Sequence, residues 1–107
     1  MKLQTKWDNL IEDNEDVYEA DRELIENIVK EINEDIEDIK KDEERLSLYH
    51  RKKRWIDAWV EYYIDDKTFL EIGEERDVSK NAARRLINYI NRAIRMRLLE
   101  LKYNENK

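Results

Sequence analysis

Residues 68–98 read TFLEIGEERDVSKNAARRLINYINRAIRMRL, which in order suggests a short helix, a tight turn and a longer helix. Thr68 is of a type that caps a helix start, and Phe69, Leu70 and Ile72 supply the apolar side of that short helix. Ser79 can cap the next helix by accepting from the backbone N–H groups of its first turn. Between the caps lies Arg76-Asp77-Val78. Asp77 tolerates the left-handed backbone that ends a helix, and Val78 offers an apolar plug between the two helices. Gly73 is the only glycine in the chain. Glycine costs about 1 kcal/mol relative to alanine in an exposed helix interior, so its position predicts another helix crossing closely over that point.

No acidic residue occurs from Val78 to Leu99, although the 107-residue chain has 27 Asp and Glu and a net charge of −6. Lys80, Arg84, Arg85, Arg92, Arg95 and Arg97 all fall in this gap. Ala83, Leu86, Ile87, Ile90, Ile94, Leu98 and Leu101 recur at helical spacing and form the expected buried side. The other side carries Lys80, Asn81, Arg84, Asn88 and Arg95. Such a stripe suits a DNA major groove, where Arg matches guanine and Asn matches adenine. A merely solvated face usually mixes both charge signs, and this one does not.

These residues resemble the helix-turn-helix of bacterial sigma factor region 4 and of sigma-like phage late-gene transcription regulators of the ArpU and RinA type. Thr68, Glu71, Ile72, Gly73, Asp77, Val78 and Ser79 fall at the family's signature positions without gaps. Glu61-Tyr62-Tyr63 precedes them as a similar aromatic pair does in the phage regulators. The resemblance spans about half the chain and implies sequence-specific binding of double-stranded DNA, with helix 79–102 in the major groove. It implies Lys80, Asn81, Arg84 and Arg85 as base-reading residues, which Asn88 joins on the same stripe. Two positions depart from the family pattern: Arg76 stands where an apolar residue usually packs, and Ala82-Ala83 replaces bulkier side chains.

Composition points the same way. The chain contains no proline and one glycine, with abundant Glu, Lys, Leu, Ile and Arg, which leaves few helix breakers and little hairpin chemistry. The expected class is all α. Charged residues make up 45% of the chain, so its core is thin and a large catalytic domain is excluded. Cysteine is absent, the N-terminus lacks the apolar run of a signal peptide, and no window approaches the ~20 apolar residues of a membrane span. The expectation is a cytoplasmic protein without membrane contact.

Charge divides the chain. Residues 1–48 hold 7 basic and 17 acidic side chains, whereas residues 49–107 hold 14 and 10, so a basic DNA-binding half is hidden in an acidic average. We therefore expect an acidic N-terminal segment, 1–48, and a helix-turn-helix domain, 49–107. Trp7, Leu10 and Ile11 suggest a loosely held arm. From residue 17 to 47 a long amphipathic helix is predicted, with Leu24, Ile25, Ile28, Val29, Ile32, Ile36 and Ile39 as one stripe. That stripe is long for the small motif to cover, so Leu24, Ile25, Ile28, Ile32, Ile36 and Ile39 are expected at a homodimer interface, with RNA polymerase as the other candidate partner. An acidic helix that mimics DNA over the recognition helix is a weaker reading, because acidic solvated faces are common.

A helix over 50–64 should brace the motif, with Trp55, Ile56, Trp59, Val60 and Tyr63 in the core rather than stacked on bases. Arg51, Lys52, Lys53 and Arg54 sit at its expected start, where cations oppose the helix dipole, which suggests a phosphate partner. Ser79, Arg92 and Arg95 are assigned to phosphate with them. Enzyme chemistry finds no support: His50 is the only histidine, Asp65-Asp66 and Glu74-Glu75 are chance pairs in an acidic chain, and no cofactor or metal site is expected. The expected function is a small DNA-binding transcription regulator encoded by a phage or mobile element. The alternatives are a small-terminase-type packaging protein, or an interaction module of anti-sigma type whose acidic helix is the active surface.

Overall fold

The computed structural model describes residues 22–105, with side chains to Leu101; the expected arm around Trp7 and the helix start at residue 17 lie outside this range. The described residues are all α, in four helices: α1 Arg22–Ile39, α2 Leu46–Tyr63, α3 Phe69–Glu75 and α4 Lys80–Glu105.

Helix α1 ends at Ile39, before the expected end at residue 47. Beyond Ile39 no apolar residue can hold another turn to the core, and the backbone tightens. Lys40, Lys41 and Asp42 N–H groups donate three residues back, to Glu37, Asp38 and Ile39. Asp42 then accepts from the Glu44 N–H at 3.0 Å and starts a single 3-10 turn, Glu43–Arg45. Helix α2 begins directly after it, at Leu46. The run Arg51–Arg54 therefore lies in its second and third turns, not at its start, and the dipole argument for those cations fails.

Helix α2 is the centre of the molecule and packs against α1, α3 and α4. Ile56, Trp59 and Tyr63 meet Ile87, Ile90 and Ile94 of α4 in one core, which also takes Ile25, Ile28, Val29, Ile32 and Ile36 of α1. Those five α1 side chains are 0–7% exposed within a single chain. The Ile25, Ile28, Ile32, Ile36 stripe, expected at a homodimer interface, is thus covered within its own chain, and residues on both sides of position 48 share one core. Ile39 packs partly against the same core, and Leu24, at the edge, stays exposed. With an elongated α2 and α4 available, α1 finds enough apolar surface at home to offset its ordering entropy.

Polar groups at the core are satisfied: the Tyr49 hydroxyl reaches Glu37 at 3.4 Å. The Trp59 indole Nε1–H donates to Asn91 Oδ1 at 2.9 Å, and Asn91 Nδ2 donates to the Tyr63 hydroxyl at 3.3 Å. Among the described residues no buried side-chain polar atom lacks a partner. No helix among them is long and apolar enough to cross a membrane, and no group of His, Cys, Asp and Glu could hold a metal ion.

Candidate nucleic-acid interface

The turn between α3 and α4 is built from local chemistry. Thr68 Oγ1 accepts from the Glu71 N–H at 3.1 Å while the Glu71 carboxylate accepts from the Thr68 N–H at 3.2 Å, a reciprocal capping box at the start of α3. At its end Asp77 adopts φ 54°. The Val78 N–H reaches back to Gly73 O at 2.9 Å and the Asp77 N–H to Glu74 O at 3.3 Å, the paired bonds of a Schellman stop. Ser79 then accepts from the Ala82 N–H at 3.0 Å and caps α4. Its hydroxyl is used in building the turn, which is the role shown for it here.

Gly73 is explained by this turn, not by a crossing helix. A Cβ there would lie 2.8 Å from Val78 O and 3.1 Å from Ser79 O, so the returning backbone itself requires glycine. Val78 is 41% exposed and is not a plug, and Leu70 is 55% exposed; Ile72 alone is fully buried from the apolar side expected of α3. Phe69 contributes by lying flat on Tyr62, ring centroids 4.3 Å apart at 4°.

Arg76 is held in place by charge. Its guanidinium pairs with Glu61 of α2 and lies 3.8 Å from Glu75. Lys67 joins Glu61 at 3.0 Å and Glu75 at 2.9 Å. Burial pushes the Glu61 carboxyl up, but hydrogen bonds from Arg76 and Lys67 outweigh it and hold the group below its usual range. Hydrogen bonds to Glu75 and Glu61 raise the Lys67 ammonium above its ordinary value. A four-residue charge cluster thus ties the turn before α4 to α2. The residue types are visible in the sequence, but their meeting depends on the turn at Asp66, φ 60°, which no apolar spacing signals.

Helix α4 buries Ala83, Ile87, Ile90, Ile94 and Leu98, so the side opposite the core is set by spacing. Asn81, Arg85, Asn88 and Arg92 fall there in succession, and Lys80 and Arg84 flank them; all six are exposed. Arg84 lies near enough to Tyr62 to counter, by its charge, the rise that burial gives the Tyr62 hydroxyl. None of Lys80, Arg84, Arg85 and Arg92 forms an ion pair among the described residues. The outward line is therefore Asn81, Arg85, Asn88, Arg92, rotated from the expected stripe toward Arg85. Arg95 is half-buried on the flank. Arg97, farther along, is tied to α1 by Glu31 at 3.3 Å and by Asp35.

Of the α2 basic run, Arg51 and Arg54 are exposed and Lys52 is half-buried. Lys53 is engaged: its ammonium donates to Asn33 at 3.0 Å and pairs with Glu37 at 3.0 Å and Asp57 at 3.8 Å. Burial lowers its pKa, but Glu37 and Asp57 more than compensate, and the group ends above its ordinary value. Lys53 thus fastens α1 to α2. Compared with known protein families, curated proteins and solved structures, the chain matches none.

Proposed function

We infer that the protein binds double-stranded DNA as a small transcription regulator, with α3 and α4 as a helix-turn-helix and the N-terminal half of α4 as the recognition helix. One observation carries this reading. In an acidic chain, the outward line Asn81, Arg85, Asn88, Arg92 and its flanks Lys80 and Arg84 hold only amides and cations, all exposed. An isolated solvated helix face would gain from carboxylates three or four residues away; this face forgoes them. A polyanion would supply the missing charge, and amide and guanidinium groups at that spacing match base edges as well as phosphates. The capping at Ser79 and the Schellman stop support it further, since they fix the end of α4 that would enter the groove. The resemblance of residues 61–79 to phage late-gene regulators supports the transcriptional assignment.

The test is selection of bound duplexes from a random DNA pool at two salt concentrations. A shared base pattern is expected among the selected duplexes, with affinity falling steeply as salt rises. Absence of any duplex binding at low salt would exclude the reading.

A further inference from the structure

Two stretches of this acidic chain carry no carboxylate: Val78 to Leu99, which includes most of α4, and Leu46 to Ile56, the opening turns of α2. The fold joins them at one point. Tyr89 of α4 rests on Trp55 of α2, with ring centroids 4.5 Å apart at 33°. Trp55 is half-buried against the core, whereas Tyr89 is 42% exposed. The Tyr89 hydroxyl has no hydrogen-bond partner among the described residues.

Helical spacing sets cations around this pair. Arg85 and Arg92 stand one turn before and after Tyr89, and Arg51 stands one turn before Trp55 on the same side of α2. All of these arginines are exposed, and none forms an ion pair among the described residues. The neighbouring cations of α2 differ. Lys53 is spent on Asn33 and Glu37, and Arg54, although next to Trp55 in sequence, is rotated about 100° away from it. A tyrosine hydroxyl is un-ionised at neutral pH and donates to an acceptor. A free donor ringed by unopposed cations is complementary to an anion that repeats charged oxygens along a chain.

We propose that this flank, where α2 meets α4, grips the sugar–phosphate backbone of duplex DNA beside the groove, with the Tyr89 hydroxyl donating to a phosphate and Arg51 neutralising another. The inference rests on α4 as the DNA reader and adds α2 to the same surface. Tyr89 and Arg51 fix position, and base choice stays with the outward line of α4. Trp55 is a positioning residue: by backing the Tyr89 ring it sets the basic side of α2 against the reading face. Backbone contact is favoured over a base stacked on Tyr89, because stacking needs an unpaired strand, whereas the adjacent amides and guanidinium groups suit the edges of paired bases.

Binding to the duplex recovered by selection, measured over a range of salt concentrations, tests this. Arg51→Ala should weaken binding and reduce the slope of log affinity against log salt by about one. Tyr89→Phe keeps the ring on Trp55; it should weaken binding by about three- to tenfold with the slope unchanged, since a neutral donor displaces no counterion. Neither should alter which bases are preferred. Arg54→Ala, an exposed cation off this flank, should change affinity by less than about twofold. In a scan of the duplex with single uncharged methylphosphonate linkages, the wild type should lose affinity at a position where Arg51→Ala does not. Arg51→Ala and Tyr89→Phe chains that bind like the wild type overturn the proposal, and so does an Arg54→Ala chain that behaves like Arg51→Ala, which would reduce both to net charge. Loss confined to single strands overturns it in favour of base stacking. A wild type that binds no duplex sinks the reading of α4 and this proposal with it, whereas a wild type that binds beside silent variants sinks the proposal alone.

Discussion

Glu61 and Gly73 show how much a single residue carries in a domain this small. At Gly73 the Val78 carbonyl leaves no room for a methyl group, so Gly73→Ala must move backbone, at a cost of about 1–3 kcal/mol despite alanine's better helix propensity. Thermal unfolding should register a lower midpoint; an unchanged or raised one would mean the turn relaxes freely. Glu61 gives a pH signature. Its carboxyl is held below its usual value by Arg76 and Lys67 against the opposing effect of burial. A group with a depressed folded-state pKa adds stability that is complete above the unfolded-state value and drains away as pH falls through the folded-state one. Chemical denaturation should thus show the wild type ahead of Glu61→Gln by about 1–2 kcal/mol at neutral pH, with the gap narrowing below the ordinary glutamate range. A gap that is constant with pH would detach the effect from ionisation.

At the scale of elements, α4 separates residues that look alike in sequence. Arg85→Ala with Arg84→Ala should weaken a selected site and relax its base preference, since a paired Arg–guanine contact discriminates by about 1–3 kcal/mol. Lys53→Ala should leave duplex affinity and its salt dependence alone and lower stability instead, because Lys53 is spent on Asn33 and Glu37. Equilibrium binding across a panel of duplexes separates the two, and a Lys53→Ala variant that loses DNA affinity while unfolding normally would refute the assignment. Ser79→Ala should cost about 1 kcal/mol through the lost cap.

The legibility of these elements in the sequence divides on physical grounds. Thr68, Asp77 and Ser79 act on backbone groups within three or four residues, and their roles are legible for that reason. The buried side of α4 is legible as far as Leu98 because its apolar period is regular; Leu101, expected with it, is 45% exposed. Gly73 is recognisable as a close approach, but what approaches is the chain's own return, a fact of turn geometry. The destination of Lys53 is illegible, because it depends on which face of α2 meets α1. The outward line of α4 differs from the expected stripe by part of a turn, since Arg85 and Arg84 are adjacent and only the packing angle tells them apart.

For the whole molecule, what covers α1 matters most. The expected dimer interface rests on the helix-turn-helix motif alone having to cover the isoleucine stripe; α2 and α4 cover it within one chain. Ile28→Glu would therefore place a charge in the shared core and cost more than about 4 kcal/mol, unfolding the chain where an interface mutation would merely dissociate it. Circular dichroism beside sedimentation checks this: retained helicity with halved mass would return the stripe to an interface between chains.

The Asn91 amide between Trp59 and Tyr63 would bear on the proposed recognition of DNA in a way that its place in the core conceals. Apolar ridges let one helix roll or slide against another at small cost, whereas a directional pair of hydrogen bonds is lost as soon as either helix turns. Each residue of an α-helix is rotated about 100° from the last, so a slip of one position would carry Arg85 from facing outward to the flank and bring a different set of side chains to the bases. Asn91 thus acts as an indexing pin, setting the angular zero from which the outer face of α4 is counted. Asn91→Leu is isosteric enough to keep the chain folded, yet it should blur which bases are preferred more than it weakens overall affinity, an outcome that repeated duplex selection with the variant would register as a flattened consensus.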